Sequence, residues 1–351
     1  MKGERQQENY RSSEDRPFRY RVGDRAKGME MSQAGSVASA AAEFIAGAER
    51  KQAEEPLNRT YFKRAGEPAF LVLREGREER TILREEKGAF IAGPCLVRSE
   101  EWLLEPELFS LYERWLSSED DLQAARMLQR ISYRLRAVAS ELLESPDGDW
   151  AAVTMLYTPE LAAQPAKLAA LQDAQLEALF TAVAERQRQG GDSRLDLLAS
   201  YAASADEFAA QREFIEEVAD QTLGHAYAAA CRIGALIAPD VHHAAAAEIG
   251  RIADFLVLDG AAGEPAPEEL AAEGFAQAAG DIFAAVRRVK PAAVILAAGA
   301  PAAAALADLY RIGLSGIFCS AGQRTEALLR AACLIWMARQ ETVDTAAGGR
   351  H

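Results

Sequence analysis

From about residue 89 onward, short apolar runs alternate with longer stretches of helical periodicity. The runs cover 89–97, 151–157, 195–199, 233–238, 254–258, 292–297 and 315–319. Most are apolar throughout and not alternating, the pattern of parallel strands buried on both faces. Between them the apolar positions recur every three or four residues. Leu168, Leu171, Leu176, Leu179 and Val183 share one helical face, and Phe208, Ile215 and Val218 share another. Residues 121–143 and 324–339 carry the same period. Pro and Gly fall at the joints, as at Gly190-Gly191 and Pro291. Seven strand-helix alternations in about 260 residues predict an α/β chain closed as a (β/α)8 TIM-like barrel. The eighth strand is not evident; the run at 69–73 is a candidate.

The pattern upstream is different. The first 30 residues are almost wholly polar, and 33–50 form a weakly amphipathic Ala-rich stretch. Residues 1–65 are therefore expected to be a flexible or partly helical extension. Residues 66–88 read as a hairpin or linker, because 68–73 and 80–84 flank a charged turn containing Gly. The barrel is expected over 89–340, followed by a disordered tail at 341–351.

Charge sharpens this division. Residues 1–90 carry 18 Lys and Arg against 16 Asp and Glu, and the remainder carries 21 against 37. An acidic body repels phosphate backbones, so no nucleic-acid partner is expected. No apolar run reaches the roughly 20 residues of a membrane span, and the first residues lack the apolar core of a signal peptide. Cys95, Cys231, Cys319 and Cys333 form no CxxC pair. The chain is expected to be cytoplasmic, without a membrane partner, and with reduced thiols.

Four segments in order carry a resemblance. They are GPCLVRSEEWLL (93–104), the helix 205–219 running into CRIGALIAPDVHHAAAAEIGRIADFLVLDG (231–260), AVILAAGAP (293–301) and LYRIGLSGIFCS (309–320). The segment 177–191 adds to them. Together they resemble the C-terminal TIM barrel of the phosphoenolpyruvate-utilising enzymes. That family includes pyruvate phosphate dikinase, phosphoenolpyruvate synthase and enzyme I of the sugar phosphotransferase system. The resemblance covers about 89–340. It implies phosphoenolpyruvate and Mg2+ held at the strand C-termini by Arg forks and carboxylates, with a Cys as acid.

Residue by residue, the match keeps Arg98 and Glu100 and loses most of the rest. The family's Arg and Asp at the run 151–157 have become Val153 and Leu156. Its metal-binding Glu falls on Ala238. An Asn-Asp pair falls on Ala261 and Ala262. The acid Cys falls on Val294, and a nearby Glu on Leu296. The family's phosphorylatable His lies in a separate domain, but the first His here is His225. No GxxxxGK[ST] loop is present to bind ATP.

The candidate site is therefore small. Arg98 and Glu100 are candidate ligand-binding residues for a small anionic ligand; a structural salt bridge is the competing reading. Asp240 and Asp259 are candidate metal ligands; a helix cap and a loop start are the competing readings. Adjacent His242 and His243 point too far apart on a helix to chelate one metal, and suit a surface helix start. Cys319 is either a nucleophile or a buried thiol, and Trp102 and Trp115 suit packing. No catalytic residue is assigned. The resemblance then implies a catalytically degenerate barrel acting as a binding, regulatory or assembly protein, without a cofactor. Its expected partner is a second copy, as a homodimer, or an active paralogue. The alternative is a phosphotransferase or lyase acting on phosphoenolpyruvate or a small oxo-acid through a rearranged Mg2+ site.

Overall fold

A computed structural model describes residues 70–76, 95–143, 151–191, 195–224, 231–262 and 267–348. The features expected at residues 1–65, at the hairpin arm 80–84 and at His225 lie outside the described residues.

Eight parallel strands close into a barrel in the order β1 to β8, and β1 pairs with both β2 and β8. The strands are β1 (Leu71–Glu75), β2 (Cys95–Val97), β3 (Ala151–Thr154), β4 (Leu195–Ser200), β5 (Cys231–Ile237), β6 (Leu256–Asp259), β7 (Ile295–Ala298) and β8 (Gly316–Cys319). Helices α1 (Pro106–Leu116) and α2 (Asp121–Leu143) follow β2. Helices α3 (Pro159–Ala162) and α4 (Pro165–Arg188) follow β3. Among the described residues, helices α5 (Ala205–Leu223), α6 (His243–Ile252) and α7 (Glu268–Val289) follow β4, β5 and β6. Then α8 (Ala300–Ala304) and α9 (Leu306–Ile312) follow β7, and α10 (Ala321–Gly348) follows β8. This is a (β/α)8 barrel.

Two boundaries differ from the sequence reading. The barrel begins at Leu71 and not near 89, because the run at 69–73 supplies β1. Both edges of β1 are hydrogen-bonded to parallel neighbours. At the other end, residues 341–348 continue α10 where a disordered tail is expected. That stretch contains neither Pro nor Gly before Gly348, so nothing in it stops a helix already formed.

Alternation along each strand separates two cores. Phe70, Val72, Val97, Leu197 and Ile317 face outward and pack under the helices. There they meet Ile131 and Leu135 of α2, Leu171 and Phe180 of α4, and Phe208 of α5. Leu71, Leu73, Leu96, Leu198, Val257 and Phe318 face inward and fill the barrel as a packed plug. Gly234 is needed low in that plug. A Cβ there would lie 2.6 Å from the Phe255 ring. The floor of the barrel carries a buried ion pair in which Arg232 Nε donates to Asp196 at 2.9 Å. The same guanidinium lies over the Phe255 ring at 5.2 Å. With the interior filled and the floor paired, the strand C-termini are the remaining place for chemistry.

Candidate functional site

At that end the chain places Arg98 directly after β2. Its guanidinium reaches across the mouth to Asp259, the last residue of β6, in a two-pronged contact with both hydrogen bonds at 2.8 Å. Its Nε donates to Glu75, the last residue of β1, at 2.5 Å. Asp259 is fully buried, and the Arg98 side chain is 11% exposed. Burial works against both charges. For Asp259, the hydrogen bonds and charge of Arg98 outweigh it, and its carboxyl titrates below the usual carboxylate range. For Arg98, Asp259 and Glu75 likewise outweigh burial, so its proton is held more tightly than in a free arginine.

Two further donors complete Asp259. The Tyr201 hydroxyl, just past β4, donates to it at 2.6 Å, and the Ala261 amide at 3.0 Å. Each carboxylate oxygen thus accepts two hydrogen bonds, which uses its lone-pair capacity. Tyr201 is held with φ at 51°, the one positive value on a non-glycine among the described residues. Such backbone costs on the order of 1–3 kcal/mol. It persists because the residue is fixed at both ends. Its amide donates to the Leu236 carbonyl, its hydroxyl to Asp259, and its ring lies edge-on to Tyr157. Burial, followed by the Asp259 charge, pushes the Tyr201 phenol above its usual value.

Glu75 is seated by Arg98 and by the amide of Gly299, which donates at 3.2 Å. Gly299 has φ at 89°, a conformation that a side chain would strain. Glu100 lies in the short 3₁₀ segment Ser99–Leu104 after β2. It accepts from Thr154 Oγ1 at 3.0 Å and lies 4.0 Å from Arg98. Thr154 is itself positioned by Ser99, whose hydroxyl donates to the Thr154 carbonyl at 2.6 Å. Buried Gln175 of α4 donates to the same carbonyl. At 34% exposure, Glu100 is the open carboxylate of the group.

The structure brings Arg98, Glu100 and Asp259 together and adds Glu75, Thr154 and Tyr201, which the sequence reading missed. A signal was available. Glu75 and Tyr201, like Arg98, sit at or just past the end of a buried run, where barrel sites form. Asp240 is exposed in the turn after β5, and among the described residues it makes no hydrogen bond or ion pair with this group. With Asp259 saturated by four donors, the pair Asp240 and Asp259 as arranged does not fit Mg2+. No cluster of three or more His, Cys, Asp or Glu side chains able to hold a metal occurs among the described residues.

The other candidates are placed elsewhere. His242 and His243 stack at 4.4 Å at the start of α6, and His242 Nδ1 accepts from the Ala244 amide as a helix cap. Cys319 is buried on the outer face of β8, its thiol 3.5 Å from the Leu73 carbonyl. Trp102 and Trp115 are buried packing residues. Val294 and Leu296 pack against the inward plug, Ala238 is half-buried, and Ala261 and Ala262 are exposed. No helix among the described residues is long and apolar enough to cross a membrane.

No family model matches the chain, and no curated protein is significantly similar to it.

Proposed function

We propose that the chain is a catalytically degenerate barrel of the phosphoenolpyruvate-utilising type that acts as a binding, regulatory or assembly protein. The observation that carries this reading is the engagement of Arg98. An arginine fork that receives a phosphate or carboxylate must have its N–H groups free to do so. Here one N–H of each terminal nitrogen is held by Asp259 and Nε by Glu75, so both edges able to make a two-pronged contact are already occupied. Around one guanidinium stand three carboxylates, counting Glu100, so a doubly anionic substrate would meet like charge. Apolar side chains at 238, 261, 262, 294 and 296 supply neither metal ligands nor a proton. Such a barrel would act through what it assembles with, a second copy of itself or an active paralogue.

Titration calorimetry with phosphoenolpyruvate and Mg2+ tests the reading. No binding heat is expected from the intact protein. Micromolar, metal-dependent binding would overturn it in favour of a rearranged enzymatic site.

A further inference from the structure

Asp259 is charged and fully buried at the end of the barrel where ligands enter, and no solvent reaches it. What surrounds it is a set of donors. A planar guanidinium fork comes from after β2, a phenol from after β4, and a backbone amide from the turn after β6. This is the geometry in which proteins hold a free carboxylate or phosphate: a two-pronged Arg contact with neutral donors filling the remaining lone pairs. The occupant here is covalently part of the chain.

We propose that the Asp259 side chain is a built-in occupant of an oxyanion cradle formed by Arg98, the Tyr201 hydroxyl and the Ala261 amide, and that it keeps external small oxyanions out of the barrel mouth. This deepens the reading of the mouth as closed to phosphoenolpyruvate and rests on it. Tyr201 accepts a strained backbone in the arrangement that brings its hydroxyl to Asp259. Without the carboxylate, Glu75 remains on Nε, but both terminal nitrogens of Arg98 lose their partner. Buried N–H donors left without an acceptor recruit an oxyanion if one fits. Removing the carboxymethyl carboxylate leaves room for a group of the same chemistry, a small carboxylate or a phosphate.

Chemical rescue tests this. Asp259→Ala in the full chain is titrated with acetate, with inorganic phosphate and with chloride at constant ionic strength, and the thermal midpoint is followed. The expected result is a rise of at least about 2 °C with acetate, phosphate or both. Acetate alone would mark the cradle as carboxylate-selective, and phosphate alone as phosphate-selective. The wild type should not respond, and Arg98→Met in the Asp259→Ala background should abolish the rise. A folded variant that ignores both oxyanions, or that responds equally to chloride, overturns the proposal. Should Asp259→Ala fail to fold, Asp259→Ser is titrated in the same way, since its shorter side chain leaves the two prongs of Arg98 open to an external oxyanion. A negative rescue leaves the degenerate-barrel reading standing; phosphoenolpyruvate binding by the wild type would remove that reading separately.

Discussion

Arg98 concentrates most of the energetic consequence at the mouth into one side chain. Removing one partner of a buried ion pair leaves the other charged and desolvated, at a cost of about 3–5 kcal/mol. Arg98→Met is expected to lose that much in urea unfolding, and Asp259→Leu combined with it should lose less than Arg98→Met alone. Glu100→Gln should cost under about 1 kcal/mol, because the residue is partly exposed and 4.0 Å from Arg98. The same network sets pH dependence at both extremes. Asp259 titrates below its unfolded value of about 3.9, so the unfolded state binds the extra proton there. Stability should hold above about pH 5 and fall as the pH drops toward the folded value, and Asp259→Asn should flatten that fall. Tyr201 has the opposite sign. Its raised phenol stays protonated in the fold after the unfolded one ionises near pH 10. Stability should fall above about pH 10, and Tyr201→Phe should remove that slope. Chemical unfolding midpoints across pH measure both. At this scale the sequence shows which groups can carry charge. It does not show that Arg98 and Asp259, 161 residues apart, are each other's partner.

Among the elements, β5 and β6 make the sharpest prediction. Gly234 on β5 leaves the space that the Phe255 ring fills beside β6. Gly234→Ala should cost about 1–3 kcal/mol through overpacking, and Phe255→Leu in the same chain should recover part of it. Thermal unfolding of the three variants distinguishes this from a backbone effect, which the second change would not relieve. The elements were largely legible because parallel strands buried on both faces write continuous apolar runs, while amphipathic helices write a 3.6-residue period. The ambiguity of β1, a candidate barrel strand that also suited a hairpin, has a physical cause. Its inward residues Leu71 and Leu73 look the same whether the strand closes a barrel or pairs in a hairpin, and the choice lies with β8, some 240 residues away.

The described residues form a closed ring of strands with a charged group across one end, and assembly is the function proposed for them. Sedimentation equilibrium at micromolar concentration is expected to give twice the monomer mass. A monomer at all concentrations would count against self-association and leave pairing with an active paralogue, which co-purification would reveal. The excess of acid in residues 91–351, 37 Asp and Glu against 21 Lys and Arg, predicts that this association strengthens with moderate salt.

By itself the sequence determined the strand-helix alternation, and hence the fold class. Each element's periodicity is written in its own residues and depends on local burial. It also determined which chemistry positions 238, 261, 262, 294 and 296 cannot supply, since a side chain of alanine, valine or leucine binds no metal wherever the backbone places it. Only the tertiary structure decided that Glu75, Arg98, Tyr201 and Asp259 form one group. Closure of the barrel places strand ends from distant parts of the chain side by side, and whether an arginine meets a ligand or a carboxylate of its own chain is settled by that closure.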